Sequence, residues 1–135
     1  MTKTRIKSQV RLTGSVDPEH ITKQLKMEAD ETWKLGDKMA HTCRRHKDNG
    51  WELTSGWEDS SDLGEQAKKI LDRVNYRIGI LKQWAANNRQ TLDMELSCCV
   101  ELCDQAPSIN FGPVLLERAA SLGMTIDVDI IQVAN

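Results

Sequence analysis

Between Trp33 and Trp51 the chain places His41, Cys43 and His46 among five bases, Lys34, Lys38, Arg44, Arg45 and Lys47, with only Asp37 and Asp48 to offset them. Such a run could serve three chemistries. Positive charge beside a thiol lowers its pKa, and thiolate is the reactive species, so Cys43 next to Arg44, Arg45 and His46 is the candidate nucleophile. Imidazole and thiol are zinc ligands, so His41, Cys43 and His46 could form part of a metal site, with a fourth ligand from Cys98, Cys99 or Cys103. Arginines framed by indoles are typical of protein-binding surfaces, and Trp33, Lys38, Arg44, Arg45, His46 and Trp57 make the candidate binding set.

The first two chemistries lack companions. No acid is identifiable that would orient His46, and no oxyanion donor, so Cys43 reads more simply as a loop cysteine. In an extended segment Cys98 and Cys99 point to opposite faces, and Cys103 lies about 13 Å beyond Cys99, so these thiols do not converge. No C-x-x-C, G-x-x-x-x-G-K-[ST], G-x-G-x-x-G or G-x-S-x-G pattern occurs. Asp93, Glu95, Asp127 and Asp129 could imitate an acid/base or divalent-metal cluster, but are better explained as a solvated, salt-paired sheet face. The expectation is a binding surface, with no catalytic residue, metal or cofactor.

The flanking sequence must position that surface. From Arg5 to Thr13, Ile6, Val10 and Leu12 alternate with Arg5, Lys7, Gln9 and Arg11, the pattern of a half-buried strand. Asp17-Pro18 gives an N-cap and a first-turn proline for a short helix to about Met27. Asn49-Gly50 reads as a turn and Trp51 to Thr54 as a short strand. Leu63, Ala67, Ile70, Leu71, Val74, Ile78, Leu81, Trp84 and Ala85 recur at helical spacing, predicting one long helix flat on a sheet. Asp62 with Glu65 would cap its start, Asn87-Asn88 would supply a left-handed stop, and Gly79 suggests close packing. Leu92 to Leu102 shows the strongest alternation in the chain. A Pro113-started helix carries Leu115, Leu116, Ala119 and Leu122 inward and ends at Gly123; a last strand, Met124 to Val133, turns Ile126, Val128 and Ile130 inward.

The order β-α-β-α-β-α-β predicts an α+β fold: a mainly antiparallel sheet with helices on one face, related to the ferredoxin-like arrangement. A faint echo links the halves, each a strand, a Pro-started helix and a returning strand. If the first strand lies beside the Leu92 and Ile126 strands, Arg5, Lys7 and Arg11 face Asp93, Glu95, Asp127 and Asp129 in cross-strand pairs.

At 135 residues, 39% hydrophobic and 28% charged, the chain fits one domain, residues 1–135. The polar start lacks a signal-peptide core, no run of about 18 apolar residues occurs, and three of the four cysteines crowd into Cys98–Cys103. A soluble, cytoplasmic protein with reduced thiols is expected. Residues 1–50 hold 11 bases and 7 acids, a surplus of 4 bases, whereas residues 91–135 hold 1 base and 7 acids, a surplus of 6 acids. A nucleic-acid binder would carry a basic surplus throughout, so that class is disfavoured.

Val16-Asp17-Pro18-Glu19-His20-Ile21, Leu25-Lys26-Met27, Gly36-Asp37, Trp51-Glu52-Leu53, Leu122-Gly123 and Asp127-Val128-Asp129-Ile130 stand in an order and spacing that resemble a family of small, mostly bacterial proteins catalogued as domain of unknown function 4279. The resemblance covers nearly the whole chain. It implies a small cytoplasmic α+β domain and brings no established activity, cofactor or catalytic residue. The function expected is a non-enzymatic protein-binding or regulatory module of immunity type, contacting an acidic protein or small anionic ligand through residues 33–50. The alternative is a ligand-binding protein or enzyme with Cys43 and His46 in its pocket, and a homodimer is a third arrangement to weigh.

Overall fold

A computed structural model describes residues 3–74 and 76–133. Among them five strands form one sheet in the order β2-β3-β1-β4-β5, with β1 Arg5–Gly14, β2 Glu31–Trp33, β3 Asn49–Thr54, β4 Leu92–Leu102 and β5 Thr125–Gln132. Four helices, α1 Pro18–Leu25, α2 Leu63–Arg73, α3 Arg77–Asn87 and α4 Pro113–Ser121, complete the α+β fold. All ladders are antiparallel except β4 with β5. No described helix is long and apolar enough to cross a membrane.

Alternation decides which face is dry. Ile6, Val10 and Leu12 of β1 and Met94, Leu96, Cys98 and Val100 of β4 are buried, and one core cluster joins them to Ile21 and Leu25, Ala67 and Ile70, Leu81 and Ala85, and Leu115 and Ala119 of the four helices. Arg5, Lys7, Gln9 and Arg11 line the other, wet face. Asp17 Oδ1 accepts from Glu19 N at 2.9 Å and Asp62 Oδ1 from Glu65 N at 3.1 Å, so both expected N-caps form.

Several expectations need correction. The long apolar stripe is two helices: Val74 is extended (φ −85°, ψ 100°), after which α3 leaves the sheet and packs on α1, where His20 stacks on Trp84 at 4.0 Å. Both sides of the break stay in phase, with Val74 and Ile78 buried, so the periodicity carries no trace of it. The left-handed residue after α3 is Arg89 (φ 58°), not an asparagine. Gly79 faces open space rather than a close neighbour. Leu116 and Ile130, expected inward, are exposed: α4 buries only Leu115 and Ala119, and β5 is an edge strand.

The sheet order corrects the charge pairing as well. β1 lies between β3 and β4, not beside the Ile126 strand, so Asp127 and Asp129 are one strand too far away. Beside the Leu92 strand the expectation holds for Arg11, which reaches Glu95 at 3.9 Å, but Arg11 also meets Glu52 at 2.8 Å and Arg5 Nε donates to Glu101 Oε1 at 2.9 Å. The echo between halves is also unequal: β1 and β3 are antiparallel, whereas β4 and β5 are parallel across α4.

Buried Ser8 and Gln66 form a network invisible to hydropathy. Ser8 Oγ donates to Gln66 Oε1 at 2.8 Å, while Gln66 Nε2 donates to Ile6 O at 3.0 Å and Glu58 Oε1 at 2.9 Å. The buried Ser8 hydroxyl and Gln66 amide would otherwise be desolvated orphans where the β1–β3 ladder gives way after Thr54.

Candidate functional site

The expected turn at Asn49-Gly50 is the start of β3, and the connection before it is a hairpin rather than an irregular loop. Gly36 N donates to His46 O at 2.9 Å, His46 N to Asp37 O at 2.8 Å and Met39 N to Arg44 O at 2.9 Å, with Lys38 paired to Arg45. Gly36 (φ +91°) makes the entry bend, and Asp37 Oδ2 accepts from Lys34 N at 2.8 Å, the side-chain turn bond that a Gly-Asp pair favours. His41, at φ 60°, helps turn the exposed tip that carries Cys43.

Trp33 fixes the hairpin to the sheet. It is opposite Gly50 in the β2–β3 register, and a β-carbon at Gly50 would fall inside its indole. The His46 ring stacks on that indole, centroids 4.7 Å apart and planes 18° apart. Backbone, indole and imidazole thus pack together at the root of the hairpin, and residues 34–48 stand over the wet face with a cleft beneath. Lys34 Nζ lies 3.9 Å from Asp17 Oδ2, a second, exposed tether to the start of α1.

Of the expected binding residues, Trp33, Lys38, Arg44, Arg45 and His46 share this hairpin or its root. Trp33 and His46 are half-buried supports, while Lys38, Arg44 and Arg45 are exposed. Arg45 Nη1 donates to Gly36 O at 2.9 Å and so braces the hairpin base. Trp57 sits apart, covered by Arg5 (4.9 Å) and Lys7 (4.7 Å) over its ring. Cys43 and His46 lie at opposite ends of the hairpin, and no three His, Cys, Asp or Glu side chains of the described residues gather as a metal site needs. Trp51, expected to be structural, is buried, its Nε1 donating to Thr22 Oγ1 at 3.0 Å.

Under the hairpin opens a cleft of about 510 Å³ whose walls include Lys7, Arg11, Met39, His46, Lys47 and Glu52. Sequence reading missed Glu52 as a site residue. It sits on the wet face yet is 5% exposed, accepting from Gln9 Nε2 at 2.7 Å and Arg11 Nε at 2.8 Å. Only its place opposite Arg11 across two strands shows why, and that register has no local signal. A larger hollow, about 630 Å³, lies on the other side of Trp33 between α1 and β2, and is lined by mixed charges from Glu19, Lys23, Glu28, Lys34 and Asp37.

Cys98 and Cys99 are held as thiols. Burial pushes the Cys98 pKa up, opposed by the Ser8 hydroxyl hydrogen bond; at Cys99 desolvation does the same, opposed by Lys7 and reinforced by Asp129 and Glu101. Neither is a nucleophile poised for neutral pH.

A family model described as Domain of unknown function (DUF4279) matches residues 4–133, and the chain belongs to that family. No curated protein and no solved structure matches it.

Proposed function

We propose that this member of the family is a non-enzymatic protein-binding or regulatory module, of the kind an immunity protein would be, whose basic hairpin at 34–48 docks on an acidic protein surface. The observation that carries it is the packing of Trp33 against Gly50 and His46. The fold commits a backbone position, an indole and an imidazole to holding Lys38, Arg44 and Lys47 out in solvent. A loop held in this way loses less entropy on binding than a mobile one would.

The test is a pull-down from the native host's lysate with wild type and Arg44→Ala/Arg45→Ala as baits, followed by titration of any captured protein. A stoichiometric acidic partner held by wild type and lost with the double variant is expected. A partner that both baits hold equally overturns the role of the hairpin.

A second reading, a small anionic ligand, is favoured by the cleft itself. Lys7, Arg11 and Lys47 line a volume in the range of ligand sites, with Glu31, Asp48 and Glu52 on the same walls, so the anionic group would sit against Lys7 and Lys47. Its mark is binding that is lost in Lys7→Ala and retained in Arg44→Ala.

A further inference from the structure

The wet face is divided by charge and by height. At the β2–β3 end stands the raised hairpin with Lys38, Arg44, Arg45 and Lys47. At the β4–β5 end the face is bare: Asp93, Asp127 and Asp129 are exposed, Glu95 is half-buried, and Ile131, on the same face, is 51% exposed. β1 lies between them, and its cations are already engaged, Arg5 with Glu101, Arg11 with Glu52 and Glu95, and Lys7 with the Trp57 ring. Among the described residues, Asp93, Asp127 and Asp129 have no ion-pair partner within this copy.

We infer that the acidic surface fitting the hairpin is the β4–β5 half of this same face on a second copy of the chain, in a face-to-face dimer whose two-fold axis runs roughly along β1. That axis is the one that works. Rotation about it carries the β2 end of one sheet over the β5 end of the other, so each raised basic hairpin meets the low acidic half of its partner and the contact occurs twice. A two-fold across the strands would set hairpin on hairpin, like charge on like charge. Height matches as charge does, since the raised half of one copy fills the bare half of its partner and covers Ile131. Isologous contact of this kind is the commonest route to a homodimer, and opposite potentials steer and register it.

This inference rests on the binding-module proposal and names the partner of its hairpin. Light scattering and sedimentation test it. Wild type is expected to be a dimer at low salt and to dissociate as salt screens the contact, because exposed charges lose most of their interaction beyond about 10 Å at 0.1 M. Arg44→Glu/Lys47→Glu reverses the hairpin and Asp127→Lys/Asp129→Lys reverses the bare half; each alone is expected to be monomeric with an unchanged circular dichroism spectrum. Mixed in equal amounts they are expected to dimerise, since both contacts are again opposite in sign.

Carbodiimide coupling of a mixture of labelled and unlabelled wild type, which needs no variant, should join Lys38 or Lys47 of one copy to Asp127 or Asp129 of the other. A monomeric wild type overturns the dimer, as does a dimer that both reversals leave intact, which would point to pairing through the β5 edge. A monomeric wild type whose hairpin still captures another acidic protein sinks only the dimer. A hairpin that binds neither itself nor any acidic partner sinks the module reading as well.

Discussion

The indole of Trp33 occupies the space that a side chain on Gly50 would need. One absent methyl group therefore seats the whole hairpin on the sheet, and with it the exposed Lys38, Arg44 and Lys47. Gly50→Ala is expected to expel Trp33 from its seat. Overpacking of this kind costs about 1–3 kcal/mol, and binding through Arg44 should weaken with it. Urea unfolding followed by tryptophan emission measures both the loss and the exposure of the indole; an alanine variant as stable as wild type would mean the hairpin is not held from Gly50.

Gly79 is the opposite case. It lies inside α3 with nothing near the position of an added β-carbon. Glycine in a helix interior costs up to about 1 kcal/mol relative to alanine, so Gly79→Ala should raise stability by several tenths of a kcal/mol to that limit. Thermal unfolding reads the gain, and a loss would reveal an unseen close neighbour.

Arg5 and Arg11 are two turns of the same alternation but differ in what they leave behind. Removing Arg11 strands the buried Glu52 carboxylate with only the Gln9 amide, and a desolvated group left short of partners costs about 1–3 kcal/mol; the 38% exposure of the arginine side chain itself favours the lower half of that range. Arg5→Ala breaks a pair in which the side chains are 43% and 27% exposed, and should cost within about 1 kcal/mol. Equal effects on the denaturation midpoint would contradict the burial assigned to Glu52.

The two thiols of β4 predict an alkaline weakness. Burial holds the Cys98 pKa above its ordinary value of 9.0, so the unfolded chain releases this proton first as pH rises. Its contribution is complete below the unfolded value, declines above it, and is lost once pH passes the folded value. Unfolding free energies on either side of that pH should therefore fall more steeply for wild type than for Cys98→Ala. Thiol labelling at neutral pH should reach exposed Cys43 before Cys98.

Patterns that repeat within a few residues were legible without the structure. The alternation of β1 and β4, the Asp17-Pro18 and Asp62 caps, the Gly36-Asp37 bend and the apolar stripes of α1 and α2 are all local, because a side chain's direction in a strand or helix follows from its neighbours' count alone. The three-residue β2 was missed because it is too short to show a period. The α2–α3 break was missed because Val74 and Ile78, on either side of it, are both buried and leave the stripe in phase.

The amino-acid sequence by itself determined the fold class, the dry face of the sheet and the concentration of bases at 33–50. Tertiary structure decided the rest. Which strands neighbour β1, that Glu52 is buried against Arg11, that Trp57 belongs to Arg5 and Lys7, and that Gly50 makes room for Trp33 all depend on pairings between residues far apart in the chain. Those pairings are fixed by register and by competition for the same buried space, and neither leaves a mark on any single stretch of residues.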